Sequence, residues 1–307
     1  MSPLILDPIL MLCPSPESPG FRLLTLVVDG VSLGSLLALG AVGLTLVYGI
    51  LRLPNFAQGD LITWGAYLTL FGIQYLHLPW GAAIVLSGVI SSALLLLLDR
   101  IVWRPLRSQR ANSTTFMISS IGLALVLRNL VTLLWGVDNQ TYGLPLAEPI
   151  TLFCLPILYY RLIILGGVGL VLLGLHYLLQ QTRWGKAMRA VADNADLAAV
   201  TGINVERIVT YTWIVVGVLT AIAGGFYGLV TVVRPSMGWF LILPLFAAVI
   251  LGGIGNPYGA IVGALAIGIS QEVSTYWLDN EYKLVVALAI MLLILLVRPQ
   301  GLFRGTL

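Results

Sequence analysis

The sequence predicts an all-α polytopic membrane protein, and three observations carry that prediction. Hydrophobic residues make up 59% of the 307-residue chain and charged residues only 9%, against about 25% charged in soluble domains. Mean hydropathy is +0.98. The apolar residues fall in long runs separated by short polar or Gly/Pro-rich breaks. Because about 20 apolar residues cross a bilayer, the chain accommodates about eight to nine transmembrane segments and leaves no room for a sizeable soluble domain. Its 33 glycines fit the same class, since glycine lets membrane helices approach closely.

Residues 1–22 read as a Pro-rich irregular leader, with five prolines in the first 20 positions and no basic stretch of the kind that opens a secretory signal. Residues 23–304 follow as a single transmembrane domain. Apolar runs predict helices at 23–50, 61–78, 80–101, 116–135, 161–179, 208–233, 240–252, 258–277 and 284–297. The 240–252 run and part of 61–78 are short or interrupted by glycine, which predicts broken or re-entrant segments.

The few charges carry topology, because short cytoplasmic loops are enriched in Lys and Arg. Arg100, Arg104, Arg107 and Arg110 lie in one connection; Arg183, Lys186, Arg189 and Arg207 lie in another, at 180–207; Arg298 and Arg304 lie in the tail. All three are expected on the cytoplasmic side, the C-terminus included. Asp138 and Glu148, and then Glu272, Asp279 and Glu281 with Lys283, mark connections on the opposite side.

The connection from Thr182 to Asn204 is the longest polar stretch. It is Ala-rich and helix-prone between Gly185 and Val200, with apolar residues at three-to-four spacing and Gly202 placed to end the helix. A short amphipathic helix in this position serves either as a solvated loop on the headgroups or as a docking element for a cytoplasmic partner.

Two breaks interrupt apolar sequence, Pro54 to Asp60 and Leu251 to Tyr258. Non-helical backbone at membrane depth is tolerated only where it is buried in protein or lines a water-filled cavity. Gly/Pro-interrupted segments in corresponding positions of two halves point to a transport pathway, and the two breaks are read as parts of a weak internal repeat. Asn55, Gln58, Asp60, Gly252, Gly253, Gly255 and Asn256 are therefore the candidate pathway or hinge residues. The rows Gly224/Gly228 and Gly259/Gly263 suit close helix packing instead. Charges within spans need a reason, since each costs roughly 2.5–3.5 kcal/mol at a helix centre on insertion scales. Arg128 is the clearest, with Asp29, Asp60 or Glu272 as candidate partners; Glu272 is a second. Arg234 and Lys283 are expected to snorkel at the outer edge.

Several chemistries are excluded. No G-x-x-x-x-G-K-[ST] phosphate loop occurs, and the only Gly-Lys pair, Gly185-Lys186, is followed by Ala187. Cys13 and Cys154 lie far apart with no CxxC, and with only two histidines no metal site is indicated. Catalytic triads, HExxH and paired-carboxylate arrangements are absent. The chain is expected to bind no cofactor and not to be an enzyme.

Three stretches resemble one family. They are the T-R-W-G-K-A-M-R-A-V-A-D-N…T-G-I-N run from Thr182, the N-F-A-Q-G-D…G-A-Y run from Asn55 to Tyr67, and the A-A-V-I-L-G-G-I-G-N-P-Y-G-A run from Ala247 to Ala260. In this order and at these separations they resemble the permease subunits of branched-chain and neutral amino acid ABC importers, in particular the shorter of the two permease partners. The resemblance implies ATP-driven import of branched-chain or other neutral amino acids across the bacterial inner membrane by alternating access. It also implies a homologous second permease subunit, two cytoplasmic ATPase subunits that carry the ATP, and an extracytoplasmic solute-binding protein. Gly185, Arg189, Ala190, Asp193 and Gly202 would form the surface that couples to the ATPases. A urea or short-chain amide importer permease, or a stand-alone ion-coupled secondary transporter, are the competing readings.

Overall fold

The computed structural model describes residues 19–144, 149–152, 155–298 and 300–303. Most of the leader, residues 1–18, and Cys154 lie outside them. All nine apolar runs form helices: α1 (Pro19–Leu51), α2 (Gln58–Gln74), α3 (Trp80–Leu98), α5 (Ser113–Trp135), α6 (Tyr159–Gln181), α9 (Val205–Val230), α10 (Met237–Gly252), α11 (Pro257–Ser274) and α12 (Lys283–Val297). The short helices α4 (Arg104–Ser108), α7 (Arg183–Asp193) and α8 (Ala195–Val200) lie in connections. By length and apolarity, six helical stretches among the described residues can cross a membrane alone. Helices α2 and α10, of 17 and 16 residues, are too short by that measure.

Two features were not expected. Helix α3 continues through a π-helical turn, Asp99–Trp103, into α4, and Asp99 explains why: its carboxylate accepts from Trp213 Nε1 at 2.7 Å and pairs with Arg107 at 2.7 Å. Two four-residue strands, β1 (Pro149–Leu152) and β2 (Leu155–Leu158), form an antiparallel hairpin ahead of α6. Strands this short carry too few residues for an alternating pattern to show.

Glycine sets the packing. Helix α1 lies against α11 so closely that a Cβ on Gly34 would stand 2.8 Å from the Leu265 Cα, and Gly30 meets Ile269 in the same way. Helix α2 is wedged between α9 and α10, where Gly224 rests on the backbone of Ile62 and Gly65, and Gly59 and Gly238 face each other backbone to backbone. With no hydrophobic drive between helices in lipid, such contacts hold a membrane bundle through dispersion and fit.

The arginine-rich connections share one face. Arg104 pairs with Glu206 at 2.9 Å, an Arg52 nitrogen donates to the Ala192 carbonyl, and Trp184 lies 3.8 Å from Tyr211 ring to ring. The opposite face carries the bridge between Gln140 and Val233 and the Tyr142 hydroxyl, which donates to the Ala66 carbonyl.

Candidate functional site

At the first break, α1 ends at Leu51 and residues 52–57 turn back into the protein, with Leu53, Asn55 and Ala57 fully buried. Unwound backbone there needs partners, and two side chains supply them. The Phe56 amide donates to Ser120 Oγ at 3.1 Å, Ser120 Oγ donates to the Pro54 carbonyl, and the Ala57 amide donates to Asn55 Oδ1 at 3.1 Å. Gln58 and Asp60, expected in the unwound stretch, instead sit in the first turn of α2. Gln58 is fully buried with Nε2 at 3.5 Å from Thr220 Oγ1. Asp60 receives Arg128 through two bonds, Nε to Oδ1 at 3.0 Å and a terminal nitrogen to Oδ2 at 3.1 Å. Of the three candidate partners for Arg128, the carboxylate at the α2 N-terminus takes it. That position also sits at the positive end of the helix dipole, and the guanidinium lies 4.9 Å over the Trp239 ring.

The second break is a tight turn. Gly253 and Gly255 adopt φ of +103° and +90°, which side chains resist. Asn256 caps α11, its Oδ1 accepting from the Tyr258 and Gly259 amides at 3.1 Å, and Pro257 occupies the first helical turn. Gly252 meets Gly259 backbone to backbone, and the tail closes over the turn, with the Leu302 amide donating to Leu251 O at 2.8 Å and the Phe303 amide to Gly252 O at 3.2 Å. Gly252, Gly253, Gly255 and Asn256 therefore build a capped turn at the arginine-rich face, beside Gly49. Asn55, Gln58 and Asp60 lie elsewhere, against Ser120, Thr220 and Arg128. The two groups sit in different places, and the motifs' elements meet where Phe56 stacks on Phe246 at 4.5 Å and where Gly59 faces Gly238.

A cavity of about 710 Å³ opens toward the other face, between α1, α6, α9, α10, α11 and α12. Two ion pairs stand in its wall, Arg161 with Asp29 and Lys283 with Glu272, the second at 2.7 Å. Lys283, part-exposed at the start of α12, is paired with Glu272 there. Arg234 and Glu281 also line the cavity, and the Arg234 guanidinium lies 5.4 Å over the Phe240 ring. The sequence offered a weak signal for this site: acidic and basic residues near helix ends, with nothing to say that Asp29 would meet Arg161.

Between α6 and α9 the expected single helix is two. Thr182 caps α7, its Oγ1 accepting from the Gly185 amide at 3.0 Å, and Asn194 breaks the run in extended conformation and caps α8 through the Leu197 amide at 2.9 Å. Gly202 ends α8 at φ +90°, as its position suggested. Gly185 is not on the outer surface: it is buried, and a Cβ there would collide with the Leu178 and Leu179 carbonyls. Met188, Val191 and Ala198 are buried with it. The outer face presents Asp193, Gly202 and Arg189, the last donating to Gln180 Oε1 at 3.0 Å, with Ala190 half-buried. Leu197 and Val200 are 63% and 85% exposed there, two apolar side chains outside the candidate coupling residues.

Comparison with known proteins gives a consistent answer. Residues 26–295 match the family model described as branched-chain amino acid transport system / permease component. The chain is 34% identical to the high-affinity branched-chain amino acid transport system permease protein LivH of Escherichia coli K12, covering 89% of this chain and 92% of that one. It is 31% identical to the corresponding protein BraD of Pseudomonas aeruginosa, with 92% and 95% covered. A probable branched-chain amino acid transport permease protein LivH of Methanocaldococcus jannaschii is 34% identical, with 90% and 91% covered.

Proposed function

The chain belongs to the branched-chain amino acid transport permease family, and on that premise we propose that it is one membrane subunit of an ATP-driven importer. Its substrates are branched-chain or other neutral amino acids, carried across the bacterial inner membrane by alternating access. ATP is hydrolysed on two partner subunits at the arginine-rich face, which the charge bias assigns to the cytoplasm together with the C-terminus. A second permease subunit completes the membrane part, and a solute-binding protein delivers substrate from outside.

The observation that carries this reading is how the α7–α8 unit is mounted. Its outer face offers Leu197, Val200, Arg189 and Asp193, while its inner face is fixed to three spans. Gly185 seats it on the end of α6, Arg52 ties Ala192 to the end of α1, and Trp184 packs on Tyr211 of α9. Force applied by an ATPase to the outer face reaches all three helices together. The breaks contribute by letting α2 start on a buried turn and α11 on a turn capped by Asn256, each a place where the chain can pivot.

The paired variant Leu197→Glu/Val200→Glu tests it. Both side chains are exposed, so the permease is expected to reach the membrane at normal level, while leucine uptake and co-purification of the ATPases fall by at least about tenfold, the loss of 1.4 kcal/mol or more of docking. Unchanged uptake and co-purification would sink the docking role. Gly185→Trp reports on a different property, the α6–α7 seam, and is expected to reduce the amount of folded protein.

A further inference from the structure

We propose that the charged cavity opposite the arginine-rich face binds a small zwitterion with an apolar side chain, an α-amino acid, between its two ion pairs. The inference rests on the permease reading and deepens it by naming where this chain itself meets its cargo.

The cavity has the volume of a small-molecule site, about 710 Å³ against the usual range of roughly 300–1,000 Å³. Its charges balance: Arg161, Arg234 and Lys283 stand against Asp29, Glu272 and Glu281. Four of them form the pairs Arg161–Asp29 and Lys283–Glu272. Arg234 and Glu281, both exposed at the mouth, have no ion-pair partner among the described residues, so the mouth offers one cation and one anion to a ligand. A free anion or cation entering would leave one of these unanswered, whereas a zwitterion answers both.

Structure alone does not call for so many charges. A pair taken out of water is often no more stabilising than apolar residues of the same volume, and here two part-buried pairs are gathered around one cavity. Leu36, Leu37, Leu241 and Pro244 give the wall one apolar side, and Ser32, Thr231, Gln271 and Asn280 line the remainder. The arrangement suits a ligand whose carboxylate goes to Arg234, whose ammonium goes to Glu281, and whose aliphatic side chain meets the leucines. Guanidinium receives carboxylate through two parallel bonds, which fixes orientation. The two existing pairs tie α1 to α6 and α11 to α12, holding the walls.

An ethanolamine phospholipid shares the ammonium, the anion and the apolar tail, so the test separates the two sources. The intact transporter, with this chain carrying Thr231→Cys on a Cys13→Ser/Cys154→Ser background, is placed in nanodiscs of phosphatidylcholine alone. Thr231 lines the cavity and is exposed. Reaction with a membrane-impermeant thiol reagent is timed with and without saturating leucine, and Val230→Cys, also on the lining, serves as a second reporter. Leucine is expected to slow labelling by at least about fivefold, the protection given by four-fifths occupancy. Adding Arg234→Gln or Glu281→Gln is expected to raise the leucine concentration for half-protection by about tenfold, as loss of one charged partner does. Labelling indifferent to leucine in both reporters, or slowed by phosphatidylethanolamine and not by leucine, overturns the proposal. The outcomes separate from those of the permease reading: a parent complex without ATP-driven leucine uptake defeats that reading, whereas active uptake with no protection defeats only this site.

Discussion

Asp60→Ala is expected to lower the stability of the folded protein by about 3–5 kcal/mol, because it strands a charge that is buried among helices. The Asp60 carboxylate is 3% exposed and Arg128 is held by two bonds on it. Removing the acid leaves the guanidinium, one-fifth exposed, over the Trp239 ring with no carboxylate to answer it. The measurement is the midpoint of thermal or denaturant unfolding in a lipid-like detergent, followed by the Trp fluorescence of the bundle. The companion variant decides the mechanism. Asp60→Leu with Arg128→Met replaces both partners by apolar groups of similar size and is expected to recover most of the loss, since a pair removed whole leaves nothing unsatisfied. If the single substitution proves as stable as the parent, the pair holds no structural role. If the double variant is no better than the single, the loss arises from packing and not from the stranded charge.

The second large effect is steric. Gly59→Leu is expected to abolish accumulation of folded protein, and Gly238→Leu to do the same. Each glycine faces the other's backbone, so a Cβ on either would collide with the opposing carbonyl. Overpacking a core costs about 1–3 kcal/mol when neighbouring side chains can yield. Here the obstruction is main chain within two helices, so the cost lies at or above the top of that range. Gly122→Leu on α5 is the control, because no atom stands within 4 Å of the Cβ it would gain. Detergent-extracted, monodisperse protein recovered per cell is the readout, and a normal yield from Gly59→Leu would show that α2 and α10 do not cross as described.

The positions of the helices were legible because lipid imposes a simple condition on sequence: an apolar stretch of sufficient length, bounded by charge or by glycine and proline. That condition found all nine runs and the common face of the arginine-rich connections. It also located the two breaks, yet it could not say what they do. Asn256 looks like a polar residue in a pathway, and its neighbours reveal a cap only once the Tyr258 and Gly259 amides are seen to point at it. Asn55 has the same character, serving the Ala57 amide. Residue types favoured at caps are also those favoured in binding sites, and sequence does not separate the two uses. The charge pairs were out of reach for a different reason. Arg128 had three possible partners, and the choice of Asp60 depends on where α5 crosses α2. The cavity lined by Asp29, Arg161, Glu272 and Lys283 draws on helices from both ends of the chain, and no local pattern records that meeting.

The contact between α1 and α11 has a bearing on biogenesis. Helix α1 leaves the ribosome and enters the membrane long before α11 is translated, yet its glycine face at Gly30 and Gly34 is shaped for the backbone of Leu265 and Ile269. Until α6 brings Arg161, the helix also waits in lipid with Asp29 uncompensated. Assembly of this bundle is therefore governed by a nonlocal event late in synthesis, and the interval before it is when quality-control proteases have the longest access to an unpartnered helix.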